Sequence, residues 1–281
     1  MRQLFLLIGI FINLAFASNA QTATSWESAK EQGSSLKKIK ITHEHLHELP
    51  DIFNQFPNLE EVDFSNNRLQ NLPPSFYTCK KLKVINFFNN QLKVICDSIG
   101  ALQALEFISL NANELEQVSA ALFSLTKIKE IHLRHNQIKH LSNYEKPITA
   151  LKKLDISFNK IDSLPASIYS EKNLCYLDAY NNELEFISSD IKNLSALRFL
   201  FLGRNHLKII PEELALCSLL QELDVVYCGV INLPASLSNL RKLELVYIDN
   251  RTIPFYSNLR MRYRQTIQVI PNGQYPYRFS Q

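Results

Sequence analysis

His43, Glu44, His45, Leu46 and His47 read His-Glu-x-x-His. On a helix, that spacing sets two histidines on one face. Both rings then reach one zinc ion, and the glutamate polarises the bound water for peptide hydrolysis. A third histidine, His45, lies between the pair, and Glu48 follows. The chemistry requires residues 43–47 to be helical, which depends on the elements that carry them.

Other chemistry-bearing residues are sparse. The five cysteines, Cys79, Cys96, Cys175, Cys217 and Cys228, are odd in number and scattered, with no C-x-x-C. They form neither a disulfide framework nor a structural zinc signature, and no cofactor is expected. A net charge of +3 over 281 residues gives no argument for a nucleic-acid partner. Hydrophobic residues at 46% are enough for a sizeable core.

The first twenty residues stand apart. Arg2 precedes an apolar run from Leu4 to Phe16, and the small residues Ser18 and Ala20 follow. This is the layout of a secretory signal peptide over residues 1–20. The run is shorter than the roughly 20 residues of a membrane span. The expected product starts near Gln21, has no transmembrane segment, and is exported: periplasmic, cell-surface or secreted.

A repeat organises the remainder. "LEEVDFSNNRL" begins at Leu59, and "LKVINFFNNQL" begins 23 residues on at Leu82. The register continues with "LEFISLNANEL" from Leu105, "IKEIHLRHNQI" from Ile128, "LKKLDISFNKI" from Leu151, "LCYLDAYNNEL" from Leu174 and "LRFLFLGRNHL" from Leu197. "LQELDVVYCGV" from Leu220 puts Cys228 in the place of Asn, and "LELVYIDNRTI" from Leu243 puts Arg251 there. One step before Leu59, "LKKIKITHEHL" from Leu36 supplies Leu36, Ile39, Ile41 and Leu46.

His43–Glu48 therefore falls in the strand-to-loop part of the first unit, and Pro50 further disfavours a helix. In extended backbone the three histidines share one side and Glu44 points away, so the protease geometry is lost. A weak three-histidine metal site is the residual reading, and no metal ligand is assigned.

Each unit opens with a short strand whose inward side it cannot bury alone, so units must stack. The chain turns at the ninth position, where an inward Asn can pair with backbone groups that would otherwise be buried unpaired. Asn67, Asn90, Asn113, Asn136, Asn159, Asn182 and Asn205 form the expected ladder. Leu-Pro in the second half of several units suits short helical or 3₁₀ segments. The stretch His140–Leu151 departs, with Glu145 at an apolar position and an added Pro147. An irregular segment is expected there.

This pattern resembles the leucine-rich repeat family in its 23-residue class, over residues 36–253. The preceding stretch looks like the entry segment of exported bacterial members. Secreted animal members carry cysteine-rich caps, which this sequence lacks, favouring a bacterial source. The resemblance implies an α/β solenoid: a right-handed superhelix with a curved parallel sheet on its concave face and short helical or 3₁₀ segments on its convex face. It also implies binding at the concave face, mostly of proteins, with no chemistry of its own. The expected organisation is a signal peptide at 1–20, an N-terminal cap segment at 21–35, ten repeats at 36–253 and a C-terminal cap at 254–281. In that last stretch "RYRQTIQVI" and "YPYRF" flank an Asn-Gly turn signal, giving a hairpin-like cap. Ile267, Val269 and Ile270 are expected to cover the last core layer. The stretch is too short for an added catalytic domain.

Positions three, five and seven of each unit face the concave side. The expected partner-binding residues are Phe88, Phe107, His132, Arg134, Tyr176, Asp178, Tyr180, Phe199, Phe201, Asp224, Val226 and Tyr247. Phe199 and Phe201, with Tyr176, Tyr180, Val226 and Tyr247, form an outward apolar cluster of the kind that marks interaction sites. The leading expectation is a non-enzymatic scaffold for a protein partner. The alternative is a glycan-binding module, since aromatic rings stack on sugars. A hydrolase using Asp178 and Asp224 is a distant third, because an open sheet implies no pocket around the two carboxylates.

Overall fold

The computed structural model describes residues 21–251 and 266–271. The expected signal peptide lies outside the described residues, as do residues 252–265 and 272–281.

Among the described residues, twelve strands form one parallel sheet in chain order. They are β1 (Thr22–Ala23), β2 (Lys38–Lys40), β3 (Glu61–Asp63), β4 (Val84–Asn86), β5 (Phe107–Ser109), β6 (Glu130–His132), β7 (Lys153–Asp155), β8 (Tyr176–Asp178), β9 (Phe199–Phe201), β10 (Glu222–Asp224), β11 (Leu245–Asp249) and β12 (Thr266–Ile270). From β2 to β11 each residue pairs with the one 23 positions on, as in Val62 with Ile85 and Ile85 with Ile108. The alternation of strand side chains sends the middle residue inward and its two neighbours to the concave face. In one unit Leu82, Ile85, Phe87, Leu92, Ile95, Ile99 and Leu102 are all buried. Each such large apolar side chain contributes about 1.5–3 kcal/mol.

The Asn ladder forms as expected. Asn113 donates through Nδ2 to the carbonyls of Phe87 (2.9 Å) and Leu110 (3.0 Å), and its Oδ1 accepts from the Leu92 amide at 3.0 Å. Asn67 through Asn205 repeat this arrangement. Cys228 keeps one part of it, donating through Sγ to the Leu202 carbonyl at 3.3 Å. The residue before each ladder position has left-handed backbone: Asn66, Asn89, Ala112, His135, Phe158, Asn181, Arg204 and Tyr227 all have φ between 54° and 58°. Asn adopts this conformation at little cost, but bulky Phe158 and Tyr227 do not. The Phe158 amide makes the same bond as its neighbours, donating to the Tyr180 carbonyl at 2.8 Å, whereas the Tyr227 amide donates to the Asp249 carboxylate.

The convex side carries 3₁₀ turns, for example Pro74–Thr78 and Glu212–Leu216. The unit from Ile128 has none between β6 and β7, matching the irregular segment read from Glu145 and Pro147. Sequence reasoning missed its partner. Glu171 occupies the buried convex position that is Cys79, Leu125 or Leu194 in other units. Its Oε1 accepts from the Ile148 amide at 2.9 Å and the Tyr144 hydroxyl at 2.7 Å. The Tyr144 ring stacks on Phe123 at 5.0 Å.

Three expectations need correction. Residues 43–47 are neither helical nor extended: His43 and His45 have φ of 65° and 53°, turning the chain in the left-handed region. All three histidines are exposed, and no three metal-ligating side chains converge among the described residues. In the unit from Leu220, Val230 is exposed and Ile231 takes the inward place, because Gly229 (φ 86°) shifts the loop by one residue. In β12 the three apolar residues do not share a face. Ile267 packs on the core, Ile270 joins the concave side, and Val269 is exposed. Strand alternation separates Ile270 from Ile267 and Val269.

At the N-terminal end, β1 pairs with β2 through Ala23 and Ile39. Helix α1 (Trp26–Gln32) starts at Ser25, whose Oγ accepts from the Ser28 amide, and it stops at Gly33. Trp26 lays its ring against Phe53 (5.9 Å) and Phe64 (5.8 Å), covering the first coils. At the other end β12 runs parallel to β11, with Val246 opposite Ile267. That strand is thus a further rung of the sheet; the "YPYRF" half of the expected hairpin lies outside the described residues.

Candidate functional site

The concave face divides into two halves of different character. On β2 to β6 it is largely polar and in part accessible, with Ser65 and Ser109 buried. Lys38 pairs with Glu61 at 2.8 Å and Lys40 with Asp63 at 3.9 Å. Asn86 donates to Asp63 Oδ1 at 3.1 Å. Phe88, just past β4, is 42% exposed. On the next strands, Phe107 is half-buried and tilts against His132 at 5.1 Å. His132 Nε2 lies 2.9 Å from Glu130 Oε2, and this hydrogen bond is the main cause holding the Glu130 carboxyl below its usual range. The guanidinium of Arg134 sits 4.7 Å from the Phe158 ring, which His135 stacks at 4.3 Å. Partial desolvation, with Arg134 beside it, lowers the His135 pKa.

From β8 onward the sheet positions are aromatic and acidic; Tyr176 and Phe199 are half-buried, and Asp178, Phe201, Asp224 and Tyr247 are buried. Tyr176 meets Phe199 at 6.1 Å and Phe201 at 5.4 Å. Lys153 stands over the Tyr176 ring at 4.7 Å. Tyr180, Val226, Tyr247 and Ile270 pack as a second apolar cluster, apart from the main core. Arg204 donates through Nε to the Tyr180 hydroxyl at 3.1 Å and lies 5.1 Å from the Tyr227 ring.

Of the expected binding residues, Phe88 is exposed, and Phe107, His132, Arg134, Tyr176 and Phe199 are half-buried. Tyr180, Phe201, Val226, Tyr247, Asp178 and Asp224 are buried, correcting the expectation of an exposed aromatic cluster. Strand pairing sets Phe107, His132, Tyr176, Asp178, Phe199, Phe201, Asp224 and Tyr247 beside the inward residue of each strand; burial departs from the reading. One physical reason is Gly203. It leaves a gap at position seven, into which the Tyr180 ring and Val226 close. Sequence reasoning passed over Gly203, although it is the only glycine at that position of the repeat.

The carboxylates have structural work. Asp178 Oδ1 accepts the Tyr180 amide at 3.0 Å, and Asp224 Oδ1 accepts the Val226 amide at 3.0 Å. Asp63 and Asp155 repeat the bond two residues on, at Ser65 and Ser157. These are Asx turns that end the strand.

A leucine rich repeat family model matches residues 57–115 and 149–207. The fold is the leucine-rich repeat solenoid, and the two matched regions carry its 23-residue units. No curated protein matches it. Among solved structures, the functional domain of InlJ from Listeria monocytogenes is 21% identical with a TM-score of 0.67, over 88% of this chain and 51% of that one. A plant peptide hormone receptor, RGFR1, solved in complex with RGF2, is 19% identical with a TM-score of 0.66, over 87% and 45%. A Leptospira interrogans leucine-rich repeat protein is 19% identical over 84% of each chain, with a TM-score of 0.48. The chain spans about half the length of the Listeria and plant chains. At these identities the likeness is one of fold. No helix among the described residues is long and apolar enough to cross a membrane.

Proposed function

We propose that this protein is exported and acts as a non-enzymatic scaffold, holding a protein partner on its concave face. The observation that carries this reading is the run Phe88, Phe107, His132 and Arg134 across neighbouring strands β4, β5 and β6. It sets accessible rings and a guanidinium on a rigid sheet, and such residues anchor protein interfaces. Asp178 and Asp224 hold backbone turns, which supports a binding role over hydrolysis. The plant receptor, solved with its partner, offers an analogy of fold only. The half-exposed ring of Phe88 also suits a sugar face, and a glycan array separates that reading.

Export rests on residues 1–20, and a bacterial envelope is the compartment the entry segment favours. The intact mass of protein recovered from the envelope or medium is expected to lack those twenty residues; a mass retaining Met1 overturns the cleavage. For binding, Phe88→Ala with Phe107→Ala is expected to reduce partner capture at least tenfold while circular dichroism is unchanged. Equal capture by the variant and the native chain overturns the concave-face reading. We read residues 21–35 and 254–281 as the two end closures of the solenoid, since open ends of a repeat stack cost solubility.

A further inference from the structure

Ion pairs run along one edge of the solenoid and then stop. Position two of each unit lies just before the strand. Lys37 and Glu60 (3.8 Å), Glu60 and Lys83 (2.6 Å), and Glu106 and Lys129 (2.6 Å) pair there, each across one step between coils. Side chains at this position therefore reach one another along the stack. After Lys129 the alternation of sign ends. Lys152 and Arg198 take the next charged places, one on each side of Cys175. The last two positions of the preceding units add Lys127 and Lys172 to the same edge. All five cations are exposed. No acidic residue occupies these three positions again before Glu244.

We propose that this edge, from Lys127 to Arg198, binds a linear polysaccharide bearing carboxylate groups, laid along the stacking direction. It is a second interaction surface, separate from the concave face.

Three observations carry it. The first is the concentration of charge. The whole chain carries only +3, yet these five cations fall within three strand spacings, about 14 Å. The opposite edge is mixed in sign: Lys160 stands there with Asp162, Glu183 and Glu185, all exposed. Burial raises the Cys175 pKa, and the charges of Arg198 and Lys152 act against that rise, so both are felt in the gap between them. A row of one sign raises the local concentration of the opposite ion.

The second is shape. Successive coils lie about 4.8 Å apart, so the cations form a line and not a pocket. A line fits a polymer whose charges recur along its length. Arg198 can hold a carboxylate through two parallel hydrogen bonds, and the lysines act as point charges.

The third is what lies between the cations. Thr126, Thr149, Asn173 and Ser195 are exposed on the same edge. Hydroxyl and amide side chains both donate and accept, as sugar hydroxyls require. No aromatic residue stands at these three positions of any unit, whereas single-stranded nucleic acid is held on stacked rings. No exposed large apolar side chain stands there among the described residues either, whereas binding in a membrane interface buries such groups.

Titration of a fluorescent oligogalacturonate with the full chain tests this. Binding is expected, and it should weaken as salt screens the charges. The same oligomer with its carboxyls reduced to alcohols should not bind. Lys152→Glu, Lys172→Glu and Arg198→Glu together are expected to weaken binding at least about tenfold, with circular dichroism unchanged. The milder triple change of the same residues to Gln should weaken it at least about threefold, which keeps the test if charge reversal disturbs the fold. Lys139→Glu, Lys160→Glu and Lys208→Glu alter net charge equally on the opposite edge and should leave binding within about twofold of the native chain. No binding, equal loss in the two charge-reversed variants, or equal binding of the reduced oligomer overturns the proposal. Tighter binding of oligothymidylate or of phosphatidylglycerol vesicles also overturns it, in favour of a nucleic-acid or membrane surface. The Phe88→Ala, Phe107→Ala variant is expected to bind the oligomer like the native chain, so the concave-face reading and this one fail separately. Loss of binding in that variant would move the polymer to the concave face and overturn the edge.

Discussion

The ring of Tyr180 lies over Gly203, so close that a methyl group on that Cα would stand 2.7 Å from Tyr180 Cε2. The same methyl would meet Asp224 Oδ1 at 2.6 Å and Val226 Cγ2 at 2.8 Å. All three neighbours are buried, so none has free space to retreat into. Gly203→Ala is expected to cost about 1–3 kcal/mol by overpacking, read from urea denaturation. Combined with Tyr180→Ala, which removes one neighbour, its cost should be smaller than when made alone. Full additivity would refute the contact.

Phe201 and Phe88 occupy the concave face but differ in burial. Phe201→Ala is expected to cost about 3–5 kcal/mol, as for a core phenylalanine. Phe88→Ala should stay within about 0.5 kcal/mol. Thermal melts of the two single variants check this. The reading fails if they are equal.

The amide ladder predicts a graded series. Asn136→Ala strands the Leu115 amide and the Leu110 and Leu133 carbonyls that it now serves. Leaving buried groups unsatisfied costs about 1–3 kcal/mol each, so a loss of at least about 2 kcal/mol is expected. Asn136→Cys should lose less, because a thiol can keep the donation that Cys228 makes to Leu202. Identical midpoints for the Ala and Cys variants would count against that bond.

Glu171 makes stability depend on pH. Burial raises its pKa above the ordinary 4.5, against the opposing bonds from Ile148 and Tyr144. A carboxyl that binds its proton more tightly when folded supports the fold below 4.5, and that support is lost as pH rises through the raised value. The difference in unfolding free energy between wild type and Glu171→Gln should therefore shift against the wild type from pH 4.5 upward. Glu130, whose pKa is lowered, acts in the opposite sense at lower pH and is common to both proteins. A difference that does not vary with pH would remove Glu171 as the cause.

The five free thiols should not react alike. Burial pushes Cys79 and Cys217 up to about 11 and Cys228 to about 12. Cys96 is exposed. Its partial burial acts to raise its pKa, but hydrogen bonds with Tyr77, Ser98 and nearby amides bring it below the usual thiol value. Iodoacetamide under native conditions is expected to label Cys96 first, because the thiolate is the nucleophile. Peptide mapping after a short exposure checks this. Earlier labelling at Cys217 would contradict the packing.

Much of the fold was legible because stacking demands repetition. The 23-residue period fixes which side chain faces inward, and Asn67 to Asn205 mark each turn. The site was less legible. Periodicity gives a side chain's direction but not what lies above it, so Phe201 and Phe88 read alike although one is buried. Glu171 was missed for a related reason: an acidic residue at an apolar position reads as a defect until Tyr144, 27 residues earlier, is seen to meet it. The left-handed turns at Phe158 and Tyr227 carry no sequence signal, since neither residue favours that backbone. Asn66 and Asn89, which do, were the available clue.

Tyr144 has a mechanical consequence. Its ring rests on Phe123 of the unit before, and its hydroxyl reaches Glu171 of the unit after. In a stack where each unit touches only its neighbours, tension between the two ends must pass through every joint in series. At the joint that lacks a 3₁₀ turn, the convex side carries that load through the Tyr144 phenol and a few hydrogen bonds, from the Ile148 amide to Glu171, from Ser167 to Asn143 and from Asn173 to Thr149. Stretching the solenoid should therefore open it there, near its middle, parting the coil into two shorter springs.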